Sequence, residues 1–244
     1  GAVGSPQIMQ ASGISSGVLS QKLGIKNKID LPGVGENLQD PLQMRLVFKV
    51  KNTKTLNLRA NSLLGKAAMG LEYFLFKRGP MTMAPSQLGG FAKSDENRET
   101  PNLQYHIQPL STNKLGEPLH SFEAFTASVC NLRPESRGYI RIKHGDSRIS
   151  PEIQPDYLAV PADRKVAADA IKLTRKIVSA PAMKKYVPEE FKPGIEFASD
   201  EDLAREAGNI GTTIFHPVGT CKMGPSSDNM AVVDDRLKVY GIEG

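Results

Sequence analysis

From Leu42 to Val50 the chain alternates: Leu42, Met44, Leu46, Phe48 and Val50 fall on one side, Gln43, Arg45, Val47 and Lys49 on the other. A period of two is that of a strand with one face in a core and one in water. Strands are also predicted at Gly90–Lys93, Asn102–Pro109, Ala124–Leu132, Gly138–His144 and Glu152–Pro155. No helical pattern separates them, so the sheet they form is expected to be mainly antiparallel. On Asn102–Pro109, Gln104, His106 and Gln108 share one side. That side reads as a solvated face, or as a set of polar selectors if it lines a pocket.

A period near 3.6 marks the helices. Residues 60–77 carry Leu63, Leu64, Ala67, Ala68, Leu71, Phe74 and Leu75 on one stripe and stop at Gly79-Pro80. Residues 162–180 form the strongest helical pattern, through Val166, Ala170, Leu173 and Ile177 with Ala167, Ile171, Thr174 and Val178 beside them. Ser199 with Asp202 predicts a capped helix ending at Gly208. Near the start, Ser5 is the expected cap of a short helix with Pro6 at its first position and Gly13 past its end. A second short helix is expected over 16–23. Strand-like pieces close the chain at Ala231–Asp234 and Leu237–Tyr240. The texture changes at 41/42 and near 205. Residues 1–41 and 206–244 are therefore grouped as one domain, and 42–205 as a second, sheet-based domain inserted into it.

Composition adds exclusions. Hydrophobic residues make up 39% and charged residues 23% of the 244, enough of each for a globular core with a polar surface. No apolar run approaches the roughly 18–20 residues of a membrane span. The net charge of +5 is scattered and lacks interleaved aromatics, so nucleic-acid binding is not expected. Cys130 and Cys221 are far apart and the four histidines are dispersed, so neither a disulfide framework nor a metal site is predicted. Cys221 reads as a small buried hydrophobe, and His120 and His144 as surface residues in turns. The compartment stays open, with the cytoplasm favoured. The chain starts on Gly1 and stops on a turn at Gly244, and both ends read as cut.

Five stretches point beyond fold class: Gly1-Ala2-Val3-Gly4-Ser5-Pro6 running to Ser12-Gly13-Ile14-Ser15, Leu31-Pro32-Gly33-Val34-Gly35-Glu36-Asn37-Leu38-Gln39-Asp40, Ser136-Arg137-Gly138, His216-Pro217-Val218-Gly219-Thr220-Cys221-Lys222-Met223-Gly224, and Val232-Val233-Asp234. In this order they resemble the motifs of the glucose–methanol–choline oxidoreductases, choline dehydrogenase-like members included, over the C-terminal half of that family. Ser15 stands where the family has Gly, and Pro41 where it usually has His after Asn-Leu-Gln-Asp. The Gly-x-Gly-x-x-Gly turn is absent from this sequence, and the family's second catalytic His or Asn is expected beyond Gly244.

The resemblance implies an α+β and α/β architecture: part of an FAD-binding domain, interrupted by a substrate domain with a mainly antiparallel sheet flanked by helices. It implies FAD as cofactor, an alcohol as substrate, and oxygen or another electron acceptor. Hydride leaves a CH–OH carbon readily only as the hydroxyl gives up its proton, and an imidazole, ordinarily titrating near 6.5, suits that task. By resemblance His216 is the catalytic base. Phe215 lines the substrate pocket, with His106 and Gln108 as further candidates. Gly1, Ala2 and Ser5 lie near the ADP part of FAD, with Pro217 and Val218 beside the cofactor. Small residues and a helix N-terminus allow backbone to approach phosphate. Two other readings remain open: a flavin-containing lyase on the same scaffold, and a non-catalytic binding module. The segment by itself is expected to be inactive and to hold FAD weakly.

Overall fold

The computed structural model describes residues 1–84, 86–114 and 116–243. In chain order the elements are α1 (Gly4–Ala11), β1 (Ile14–Ser15), α2 (Gly17–Lys22), β2 (Ile29–Asp30), β3 (Leu42–Lys49), α3 (Leu56–Asn61), α4 (Leu63–Phe76), β4 (Leu88–Ala92), β5 (Leu103–Gln108), β6 (Ala124–Asn131), β7 (Tyr139–Arg141), β8 (Glu152–Gln154), α5 (Pro161–Val178), β9 (Glu189–Lys192), α6 (Asp200–Ile210) and β10 (Gly211–Thr213). Contacts divide them into two units: 1–41 with 134–160 and 213–244, and 42–133 with 161–212. The fold is mixed α and β, with its large sheet mainly antiparallel.

In the first unit, 134–160 stands beside 1–41, whereas the sequence pattern placed it in the inserted segment. The reason lies in one side chain. Gln10, buried on α1, donates from Nε2 to the Val34 and Ile140 carbonyls at 3.0 and 2.9 Å, and its Oε1 accepts from the Ile142 N–H at 2.9 Å. It thereby satisfies backbone groups of two loops at once. Leu38 and Gly138 exchange backbone hydrogen bonds, 2.9 Å each way. Gly35 sits at φ +88°, and a Cβ there would collide with the Ile140 carbonyl. β7 and β8 accordingly pair only with each other. Leu31, Val34, Val232 and Val233 form the core of this unit, with Met9 and Cys221 packed on it. The closing pieces, expected as strands, make only isolated bridges, Met223 to Val233 and Val233 to Val239. α1 begins at Gly4 with Val3 as its uncapped N-cap; Ser5 lies inside the helix instead of capping it.

The second unit is built on a sheet of order β10-β3-β6-β5-β4, with β9 pairing β3. Met44, Val129 and Tyr105 stand in one cross-strand row, as do Leu46 and Ala127. The Thr174 hydroxyl, on α5, bonds the Tyr105 hydroxyl at 3.2 Å and so places α5 on this apolar face. Val166, Ala167, Ala170 and Ile171 are buried there. Val166 and Ile171 each contribute about 1.5–3 kcal/mol on leaving water, and the alanines less. Ser199 caps α6 as expected, accepting from the Asp202 N–H at 3.1 Å. The 60–77 helix is in fact two. Ser62 ends α3 and caps α4 by accepting from the Gly65 N–H at 3.3 Å. The apolar stripe of α4 is exposed in this chain: no residue of α4 is buried. The polar side of β3, expected in water, is buried instead, because Gln43 and Arg45 stand in a sheet covered on both faces.

Candidate active site

Two stretches of the first unit meet at one carboxylate. Asp40 ends the Leu31–Asp40 motif and is buried. Its Oδ1 accepts the His216 backbone N–H at 3.0 Å, and its Oδ2 accepts the Thr213 hydroxyl at 2.6 Å. The Tyr157 hydroxyl donates to the same Oδ2. Thr213 Oγ1 in turn accepts the Phe215 N–H at 2.8 Å. Each hydroxyl proton is thereby used once, and the turn carrying His216 is held at its two sides. Bonds to an ionised acceptor are about twice as strong as neutral ones. Burial, then the hydrogen bond to Asp40, pushes the Tyr157 phenol far above its ordinary range, so it remains a donor.

The loops around Asp40 carry strain. Phe215 lies at φ +64°, and Asp156 and Leu158, either side of Tyr157, lie at +52° and +58°. A bulky residue in this region costs about 1–3 kcal/mol and persists where its surroundings fix it. Beyond His216, Val218 and Gln39 exchange backbone bonds at 2.9 and 2.8 Å. The Gly219 carbonyl accepts from Asn37 Nδ2 at 3.0 Å, and Arg137 Nε donates to Asn37 Oδ1 at 3.2 Å. Gly219 is at φ +94°, where a Cβ would meet the Asn37 carbonyl. The Thr220 hydroxyl bonds the Ala2 carbonyl at 2.6 Å. The His216 segment is thus tied to the first turn of the chain.

The outcome is a fixed backbone presenting open side chains. The His216 imidazole is exposed, and among the described residues nothing hydrogen-bonds its ring. Phe215 is 69% exposed and Val218 55%; Pro217 is half-buried. Gly1 and Gly4 have open space where a Cβ would stand, and α1 has no side-chain cap. Ser5 Oγ accepts from the Gly1 amine at 3.3 Å. Residues 134–244 match the GMC oxidoreductase family. That stretch includes His216 and the two residues that share Asp40 with it, Tyr157 and Thr213.

The whole chain resembles GMC proteins. It is 39% identical over 244 residues to an oxygen-dependent choline dehydrogenase of Cronobacter sakazakii, covering all of this chain and 43% of that protein. An FAD-dependent oxidoreductase of Chaetomium thermophilum matches the full chain at 23% identity and TM-score 0.84, over 48% of its own length. A formate oxidase of Aspergillus oryzae matches the full chain at 22% identity and TM-score 0.86, over 47% of its own. The likeness to these two structures is one of fold. The chain spans less than half the length of these relatives.

His106 and Gln108 belong to the second unit. Both lie on β5, on the side of the sheet away from α5. Gln108 is buried, not solvated: its Oε1 accepts from Arg45 Nη2 at 3.2 Å and its Nε2 donates to Ser86 Oγ at 3.4 Å. The sequence reading gave Asp40 no role, and missed Tyr157 and Thr213. Asp40 was visible as the last residue of a motif, whereas Tyr157 and Thr213 carry no local pattern. His120, expected on the surface, lies inside a network. Ser111 Oγ is 2.9 Å from its Nδ1, Asn113 Oδ1 is 3.0 Å from its Nε2, and the ring stacks on Phe122 at 4.8 Å. His144 is exposed as expected. Among the described residues no cluster of His, Cys, Asp and Glu is placed to hold a metal ion, and no helix is long and apolar enough to cross a membrane.

Proposed function

We propose that this chain supplies the histidine-bearing part of an FAD-dependent oxidoreductase that converts CH–OH donors to carbonyl products. The observation that carries the reading is the clamp on Asp40, which fixes the backbone of His216 while leaving its imidazole open, in a stretch that matches the GMC oxidoreductase family. The uncapped start of α1, with open space at Gly1 and Gly4, fits the approach of a dinucleotide phosphate. Gly1, Ala2 and Ser5 would lie against its ADP part, and Pro217 and Val218 beside the flavin. When bound, the flavin takes up the hydride that leaves the alcohol carbon.

The protein's own part is proton handling and position. His216 accepts the hydroxyl proton as the C–H bond breaks, a contribution of about 10²–10⁴-fold for a placed base. Asp40 keeps the His216 main chain from drifting, and small misplacements of such a group are costly. Phe215, held with its ring outward, forms a wall of the substrate pocket. The first unit serves the cofactor and the second the substrate. Oxygen or another acceptor would take the electrons on. Anaerobic addition of primary alcohols to the full-length, flavin-loaded protein tests the reading. Bleaching of the yellow absorbance with release of aldehyde is expected, and turnover without any bleaching would overturn it.

A further inference from the structure

On the side of the second unit's sheet away from α5, Arg45 of β3, Ser128 of β6 and His106 of β5 stand in one cross-strand row, and Gly89 of β4 continues it. Gln43 and Cys130 flank this row on one side, with Thr126 and Gln108 on the other. The face is polar and still buried: Arg45 is 7% exposed and Ser128 0%. A guanidinium is always charged, and buried charges ordinarily have an ionic partner. Among the described residues Arg45 has no carboxylate. Its Nη2 reaches only the neutral Gln108 amide, and its Nε is buried without a hydrogen bond. The Ser128 hydroxyl beside it is likewise buried without one. Two donors in adjacent positions therefore lack an acceptor.

We infer that this face is an anion subsite, and that it takes the carboxylate of an organic acid. One oxygen would accept from Arg45 Nε–H and the other from the Ser128 hydroxyl. The carboxylate displaces Gln108, which is held by two long bonds of 3.2 and 3.4 Å. A charge-assisted fork is stronger than the neutral contact it replaces. The existence of the subsite stands on the second unit alone. Naming it as part of the substrate site rests on the proposed function. On that reading the substrate is an alcohol that bears an acid group, and a quaternary ammonium alcohol is disfavoured.

The test uses the full-length protein and simple probes. Thermal unfolding and calorimetry are followed with propionate, glycolate, 1-propanol and choline at fixed ionic strength. Propionate and glycolate should raise the midpoint with saturation, and the two others should not. Arg45→Lys should weaken propionate binding roughly 10–100-fold, and Arg45→Met should abolish it. Arg45→Met without probe should unfold at the same temperature as the parent or higher, because removing an unpaired buried charge relieves a desolvation cost. No response to propionate, an equal response in Arg45→Met, or a markedly lower midpoint for the unliganded variant would each overturn the subsite. The redox reading is judged separately. Should propionate bind through Arg45 while no alcohol bleaches the flavin, the subsite stands and the function falls.

Discussion

Replacing Asp40 by Asn removes one charge and almost no volume. In the native site three donors converge on this carboxylate: the His216 N–H, the Thr213 hydroxyl and the Tyr157 hydroxyl. An Asn side chain keeps one oxygen for His216 and turns an amino group toward the two hydroxyls. Each lost bond to the ionised oxygen is worth about 1.5–3 kcal/mol net. The half-buried hydroxyls recover part of that by turning to water, leaving an expected loss of about 2–4 kcal/mol. For a chain of this size that lowers the melting midpoint by roughly 5–12 °C. Circular dichroism melts of parent and Asp40→Asn measure it. Tyr157→Phe and the double variant complete a cycle, in which the coupling should be about 1 kcal/mol or more. A midpoint within a degree of the parent, or strict additivity of the two changes, would show that Asp40 does not hold these segments together.

Three further expectations follow from other parts of the molecule. Gln10→Leu strands two backbone carbonyls and one N–H in the interior, and urea unfolding should show a loss of about 3–5 kcal/mol; a loss under 1 would contradict the role given to that side chain. Phe215→Val puts a branched Cβ where φ is +64° and should lower stability by about 1–2 kcal/mol, whereas Phe215→Gly should melt within a few degrees of the parent. Burial, and then the Lys192 charge, hold the His120 imidazole below its ordinary range. The unfolded chain therefore binds that proton first. This contribution to stability is complete above about 6.5 and is lost as pH falls from there through the folded value. Urea midpoints between pH 7 and 5 should fall less steeply in His120→Phe than in the parent; equal slopes would remove His120 from the acid response.

The residues that the sequence made legible are those whose signal is local. Alternation from Leu42, the 3.6-residue period through Val166 and Ile171, and the Ser199 cap each appear in a short window, and each is where the pattern places it. α4 shows the opposite case. Its stripe of Leu63, Leu71 and Phe74 has helical period, yet periodicity marks only an apolar side and says nothing about what covers it. The polar side of β3 failed for a similar reason: alternation does not tell water from a second buried layer. Residues 134–160 were misplaced because the side chain that holds them, Gln10, is 130 positions from Ile140. The site divides the same way. His216 and Asp40 lie in motifs that can be read along the chain. Tyr157 and Thr213 join them only through hydrogen bonds made in the folded state, which no spacing encodes.

The central claim is that His216, placed by Asp40, handles the proton of an alcohol. Stopped-flow flavin reduction of the full-length protein without oxygen, compared between parent and His216→Ala, tests it most directly. The account predicts a rate lower by roughly 10²–10⁴-fold with an unchanged melting midpoint, since the His216 contact to Asp40 is made by its backbone. An undiminished rate in His216→Ala would contradict it.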